Sequence, residues 1–119
     1  MKCGLVKIEK TGKRRVETKF WGLKVGKEMV GEAGLRMGKS EAGDVVYKIY
    51  PEYRGRGYGN LILRLLKKKA EKLGLEELIV MCRKDNLASK RVIENNGGVF
   101  LREIKRRNGK IRLAYKISY

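Results

Sequence analysis

A chain of 119 residues has room for one domain with a real core and not for two. Thirty Lys+Arg against thirteen Asp+Glu give a formal charge of +17 with no histidine, so acid–base chemistry must come from carboxylate, tyrosine, thiol, lysine or water. No apolar run approaches the roughly 20 residues of a membrane span, the first residues carry no signal-peptide core, and Cys3 and Cys82 lie far apart without zinc-ligand spacing, so a cytoplasmic protein with free thiols and no metal is expected.

In chain order, Leu5 to Glu9 is a short strand candidate and Thr11 to Arg15 a basic turn. Arg15 to Val25 alternates loosely, Gly26-Lys27-Glu28 turns the chain, and Met29 to Met37 reads as a third strand rich in small residues. Gly38 to Gly43 is a loop. Asp44 to Tyr50 is a strand stopped by Pro51. Leu61, Ile62, Leu65, Leu66, Ala70 and Leu73 form a helical stripe ended by Gly74. Glu77 to Arg83 is an apolar strand. Asp85-Asn86 offers an N-cap for a second helix, Leu87 to Asn95, closed by Asn96-Gly97-Gly98. Val99 to Lys105 and Ile111 to Ser118 make a last hairpin around Asn108-Gly109.

Between the fourth strand and the first helix lies Pro51-Glu52-Tyr53-Arg54-Gly55-Arg56-Gly57-Tyr58-Gly59-Asn60. Three alternate glycines leave the backbone free to take φ > 0 and let an anion approach the main-chain N–H groups. Those groups stand at a helix N-terminus, where unpaired donors and the dipole favour negative charge. Arg54 and Arg56 add forked donors suited to phosphate. The stretch reads as a phosphate or pyrophosphate cradle. It is not a P-loop, since no Gly-Lys-Ser/Thr follows, and its spacing is wrong for a dinucleotide fingerprint.

This order of elements resembles the GNAT superfamily of N-acetyltransferases. Arg54-Gly55-Arg56-Gly57-Tyr58-Gly59 matches its Arg/Gln-x-x-Gly-x-Gly/Ala acetyl-coenzyme A motif, and Asn86, Ser89, Gly97 and Gly98 match its second signature downstream. The resemblance covers residues 44–101, about half the chain. It implies an α+β domain over residues 1–119: a twisted, mostly antiparallel sheet of about seven strands with two helices. It implies acetyl-CoA as cosubstrate, no metal, and direct attack of an amine on the thioester. The pyrophosphate is expected at Arg54, Gly55, Arg56, Gly57, Tyr58, Gly59 and Asn60. The pantetheine arm is expected along the strand end near Ile49 and Tyr50, where that strand and Leu78–Cys82 splay apart. Asn86 and Ser89 would face the arm or its phosphates; a plain N-cap and a solvent-facing helix residue are their alternatives.

Two departures from the family pattern bear on chemistry. The superfamily usually places two helices between its first two strands, and here only Lys10–Arg15 stands there. The acceptor side is expected to be open, or completed by a second protomer of a homodimer. Many members have a tyrosine acid seven residues after the motif asparagine, and here that position is Ile93. Tyr115 is the substitute to test, and Glu32 a candidate base, directly or through water; packing and an ordinary exposed strand position are the alternatives. Cys82 reads as a small core residue. Basic clusters at Lys13-Arg14-Arg15, Lys67-Lys68-Lys69 and Lys105-Arg106-Arg107 suggest an amine on an anionic or macromolecular acceptor, against a merely solvated surface. Two rivals stand beside transfer: a non-catalytic CoA-binding module, and a basic RNA- or ribosome-associated domain with an unused glycine loop.

Overall fold

The computed structural model describes residues 2–8, 17–37 and 42–118. Their elements are β1 (Cys3–Ile8), β2 (Glu17–Val25), β3 (Glu28–Met37), β4 (Ala42–Ile49), α1 (Tyr58–Lys72), β5 (Glu77–Arg83), α2 (Leu87–Asn95), β6 (Gly98–Lys105) and β7 (Ile111–Ser118). The strands form one seven-stranded sheet in the order β1-β2-β3-β4-β5-β7-β6. Every neighbouring pair is antiparallel except β4 and β5. That parallel pair joins β4 to β5 through α1, the crossover that parallel strands require.

The expected α+β sheet with two helices is therefore present. The basic turn at 11–15, the stretch between the first two strands and the start of the loop at 38 lie outside the described residues. Tyr50, expected to end the fourth strand, instead precedes a single 3-10 turn at Pro51–Tyr53. The first helix begins three residues earlier than the apolar stripe suggested. Gly57 takes a left-handed conformation (φ 80, ψ 8) and serves as N-cap, so Tyr58, Gly59 and Asn60 join the first turn. The final turn closes through an Arg106 N–H donated to Lys110 O, with Gly109 at φ 81, as an Asn-Gly hairpin demands.

One face of the sheet carries the core. Leu23, Leu35, Val45, Leu78, Val80 and Ile117 meet Ile62, Leu63, Leu66 and Ala70 of α1 and Ile93 of α2. The α1 residues recur at helical spacing, which places them on one stripe. Each fully buried leucine or isoleucine contributes about 1.5–3 kcal/mol by leaving water. Gly98 is required by packing, since a Cβ there would stand 2.5 Å from Ile93 Cγ2 and 2.8 Å from Ile93 O. The opposite face has no helix over it among the described residues, and Val6, Met29, Val46 and Val99 are exposed.

Candidate active site

The site begins where the sheet stops pairing. β4 and β5 are matched only from Ala42↔Glu77 to Val45↔Val80. Val46–Ile49 and Met81–Arg83 continue as strands, held on their outer sides by β3 and β7. Their facing edges diverge and leave a notch in the sheet. A cleft of about 600 Å³ opens there, walled by Tyr47, Ile49, the glycine loop, Asn86 and Ser89.

The glycine loop forms the outer end of this cleft. Gly55 and Gly57 both take positive φ (79 and 80), and neither has an atom within 4 Å of where a Cβ would stand. Their side-chain-free surface is open space beside the helix start. No side chain caps α1, and its first turn contains no acidic residue. Unpaired amides at a helix start with no anion of their own suit a phosphate. Gly59 has a second reason to be glycine: a Cβ would lie 3.3 Å from Val92 Cγ2, so it lets α1 and α2 approach. Arg56 is exposed and lies 5.8 Å above the Tyr53 ring. Tyr58 packs part-buried against the core.

Several expected ligand-facing groups are tied into the fold. Arg54 Nε donates to Ile49 O at 3.0 Å, bracing the loop on the end of β4. The Tyr50 N–H donates to Val30 O at 2.9 Å, so it faces β3 rather than the notch. Asn60 Oδ1 accepts from Asn96 Nδ2 at 3.2 Å and links the two helices. Asn86 is the N-cap of α2, its Oδ1 accepting from Ser89 N at 3.1 Å. It also lines the cleft, so the two readings of Asn86 coexist.

The candidate acid and base lie apart. Tyr115 is 2% exposed, in the core on β7, with its ring edge-on to Phe100 at 5.8 Å between centroids. It lines neither large cleft at the notch. Glu32 stands on the uncovered face of β3, opposite Lys48, where its Oε2 accepts from Tyr50 Oη at 3.3 Å. It lines a shallow groove of about 170 Å³ with Phe20, Val46 and Tyr47. Ile93, at the family's tyrosine position, is fully buried.

Sequence reasoning missed Tyr47. It reads as an ordinary inward strand residue, yet it comes from the unpaired half of β4 and lines the cleft. Its hydroxyl is buried beside Ser89, and no group among the described residues stands in hydrogen-bond geometry to it. Burial pushes its pKa above the ordinary 10.0, with Ser89 opposing and the Cys82 thiol adding to the rise. At neutral pH it is a protonated donor. An aromatic hydroxyl on the half-strand beyond the expected splay was the signal available.

A second cleft of about 490 Å³ shares Tyr47, Arg83, Asn86 and Ser89 with the first. It reaches the uncovered face at Arg36, Val46 and Met81. Side chains of both faces line it, so the notch connects the two sides of the sheet.

Set beside known proteins, the sequence matches the family described as Acetyltransferase (GNAT) domain over residues 6–99. No curated protein matches it. Among solved structures, a Bacillus subtilis acetyltransferase in complex with CoA superposes with a TM-score of 0.81 at 11% identity, covering 99% of both chains. The Salmonella typhimurium acetyl transferase that modifies the N-terminal serine of ribosomal protein L7/L12 gives 0.75 at 19% identity, over 86% of this chain and 64% of that one. Mycobacterium smegmatis RimJ, in complex with CoA-disulfide, gives 0.77 at 17% identity, over 85% of this chain and 53% of that one. The chain thus spans less than two thirds of those two longer proteins. At such identities the likeness shows the fold.

Proposed function

The chain belongs to the GNAT acetyltransferase family, an acyltransferase that takes acetyl-CoA as cosubstrate, and we propose that it moves the acetyl group to an amine entering the notch from the uncovered face. The observation that carries this reading is the early end of the β4–β5 pairing at Val45↔Val80, with the uncapped start of α1 at one end of the opening. The open amides of the glycine loop fit a pyrophosphate, and the unpaired strand edges fit an extended amide chain. Gly55, Gly57, Tyr58 and the backbone of Ile49 to Asn60 would form the phosphate end, with Asn86 and Ser89 along the arm.

Transfer makes a C–N bond, breaks the C–S bond and moves one proton from the amine to the thiolate. An alkylammonium with a pKa near ~10.4 must first lose a proton. Glu32 serves as base through water, since it lies on the acceptor face one strand from the notch. Tyr47, rather than the core residue Tyr115, serves as proton donor to the departing thiolate. Cys82 stays a packing residue, because direct transfer needs no acyl-enzyme. The free thiols, Cys3 exposed and Cys82 buried, support a cytoplasmic setting. No helix among the described residues is long and apolar enough to cross a membrane.

The test is a free-thiol assay with purified protein, acetyl-CoA and a panel of amines, beside calorimetric binding of CoA. Amine-dependent thiol release is expected. Tight CoA binding with no release on any amine would establish a non-catalytic binding module. Salt-dependent RNA binding indifferent to CoA would favour the nucleic-acid reading. Light scattering on the same sample reads whether a second protomer completes the acceptor side. Glu32→Gln should shift the rate profile towards alkaline pH; a wild-type profile would remove Glu32 from the mechanism.

A further inference from the structure

The cleft on the uncovered side of the notch is lined by Arg36, Arg83, Arg106 and Arg112, with Asp44 the one carboxylate among them. These arginines come from β3, β5, the last turn and β7, so four separate parts of the fold converge on one cavity. Lysine is the commoner cation of the chain, yet no lysine lines this cleft. A merely solvated basic surface gives no reason for that choice. Guanidinium forks are the better match to planar or tetrahedral oxyanions.

Like charges crowd this cleft. Arg83 and Arg112 stand directly opposite in the β5–β7 register, where like charges destabilise a sheet. Among the described residues Arg83 meets one carboxylate, in an exposed contact with Asp85 at 3.4 Å. Arg36 Nε is buried and has no hydrogen-bond partner among the described residues, although Asp44 is its direct neighbour on β4. Arg36 and Arg112 have no carboxylate within ion-pair distance among the described residues. A buried guanidinium nitrogen is costly without an acceptor.

We propose that this cleft is an anion-reading acceptor subsite: the amine that is acetylated carries a carboxylate or phosphate group, which Arg36 and Arg112 hold while the amine sits at the notch. The inference rests on the transferase reading and adds the chemical class of the acceptor. Arg83 borders both clefts, so it lies between the bound anion and the coenzyme arm.

The experiment uses three acceptors sharing one two-carbon amine: ethanolamine, β-alanine and O-phosphoethanolamine. Transfer is measured with acetyl-CoA saturating, and CoA affinity is measured separately by calorimetry. One or both anionic amines should exceed ethanolamine in kcat/KM, and which one leads identifies the oxyanion. Arg36→Gln and Arg112→Gln should each lower that preference by about tenfold, the loss expected for one charge-assisted hydrogen bond. Lys68→Gln, an exposed α1 position outside both clefts, removes the same charge and should leave the preference unchanged. As a readout apart from turnover, the N-acetylated anionic product should bind the CoA-saturated protein more weakly in both arginine variants. Equal kcat/KM for charged and neutral amines would overturn the subsite while leaving the transferase reading intact. So would a preference that falls as far in Lys68→Gln. A tenfold loss of CoA affinity in the arginine variants would assign these residues to the coenzyme phosphates instead. No transfer to any amine, with no product binding, would defeat both readings.

Discussion

Tyr47→Phe separates stability from chemistry at the notch. The substitution removes one oxygen and leaves the ring, which packs part-buried against the core. In the wild type that hydroxyl is buried without a hydrogen-bond partner among the described residues. A buried, unsatisfied polar group costs about 1–3 kcal/mol, so its removal should stabilise the fold, by about 1 kcal/mol if local relaxation already offsets part of the cost. For a chain of this length that is about 4 °C in melting temperature. The same change removes the proposed proton donor. General acids contribute about 10²–10⁴-fold, but a thiolate with a pKa near ~8.5 already leaves fairly well; a loss of about 10–100-fold in kcat is expected. CoA affinity should hold. The sign of the pH effect follows from burial. Tyr47 keeps its proton beyond the ordinary 10.0, so loss of its proton should add an alkaline limb above that value to the wild-type profile, and Tyr47→Phe should lack that limb. Calorimetric melting, CoA titration and a pH–rate series suffice. Wild-type turnover would refute the proton role, and a melting point several degrees lower would refute the unsatisfied hydroxyl.

Gly57→Val should fold, at a cost of about 1–2 kcal/mol for a side chain in the left-handed region, and should lose CoA affinity in calorimetry; unchanged affinity in a folded variant would sink the loop assignment. Ile93→Tyr, which restores the family's usual residue, should lower stability by about 1–3 kcal/mol through overpacking, because Ile93 is fully buried against Gly98; an unchanged melting point would show that the pocket adapts. Burial raises the Cys82 thiol above 9.0, so its contribution to stability is whole below that pH and drains away as pH climbs towards the folded value. Denaturant midpoints should therefore begin to decline near pH 9, with Tyr47 and Tyr115, also raised by burial, extending the loss above 10.0. Cys82→Ala should delay the onset, and a decline that starts at the same pH would exclude the thiol.

Local pattern made most of the architecture legible. Alternation located the strands, the α1 stripe located the core helix, and Asn86 announced its cap. The 3-10 turn at Pro51–Tyr53 was hidden because three residues carry no period. Gly59 shows how one residue type conceals two causes: its place in the motif suggested phosphate approach, while its close approach is to Val92, on a later helix. The position of Tyr115 away from the notch was hidden for a similar reason. Tyr115 and Tyr47 are both inward strand tyrosines in sequence, and only the register with β5 places one beside paired Val80 and the other beyond the last pair. The arginine cleft was invisible because its members lie on four separate elements, while the charge runs that caught the eye are contiguous.

The short β4–β5 match also divides the sheet mechanically. Four residue pairs are the whole ladder between β1–β4 on one side and β5, β7 and β6 on the other, with α1 packed across the join. Each half is stitched internally by longer antiparallel ladders. The join is therefore the natural hinge of the molecule, where the two halves can breathe without either unravelling. Amide hydrogens at Leu78 to Val80 should exchange faster than those deep in β3 or β7. A coenzyme arm lying between the parted strands would act as the missing length of ladder, so its binding should slow exchange along this seam more than anywhere else in the sheet.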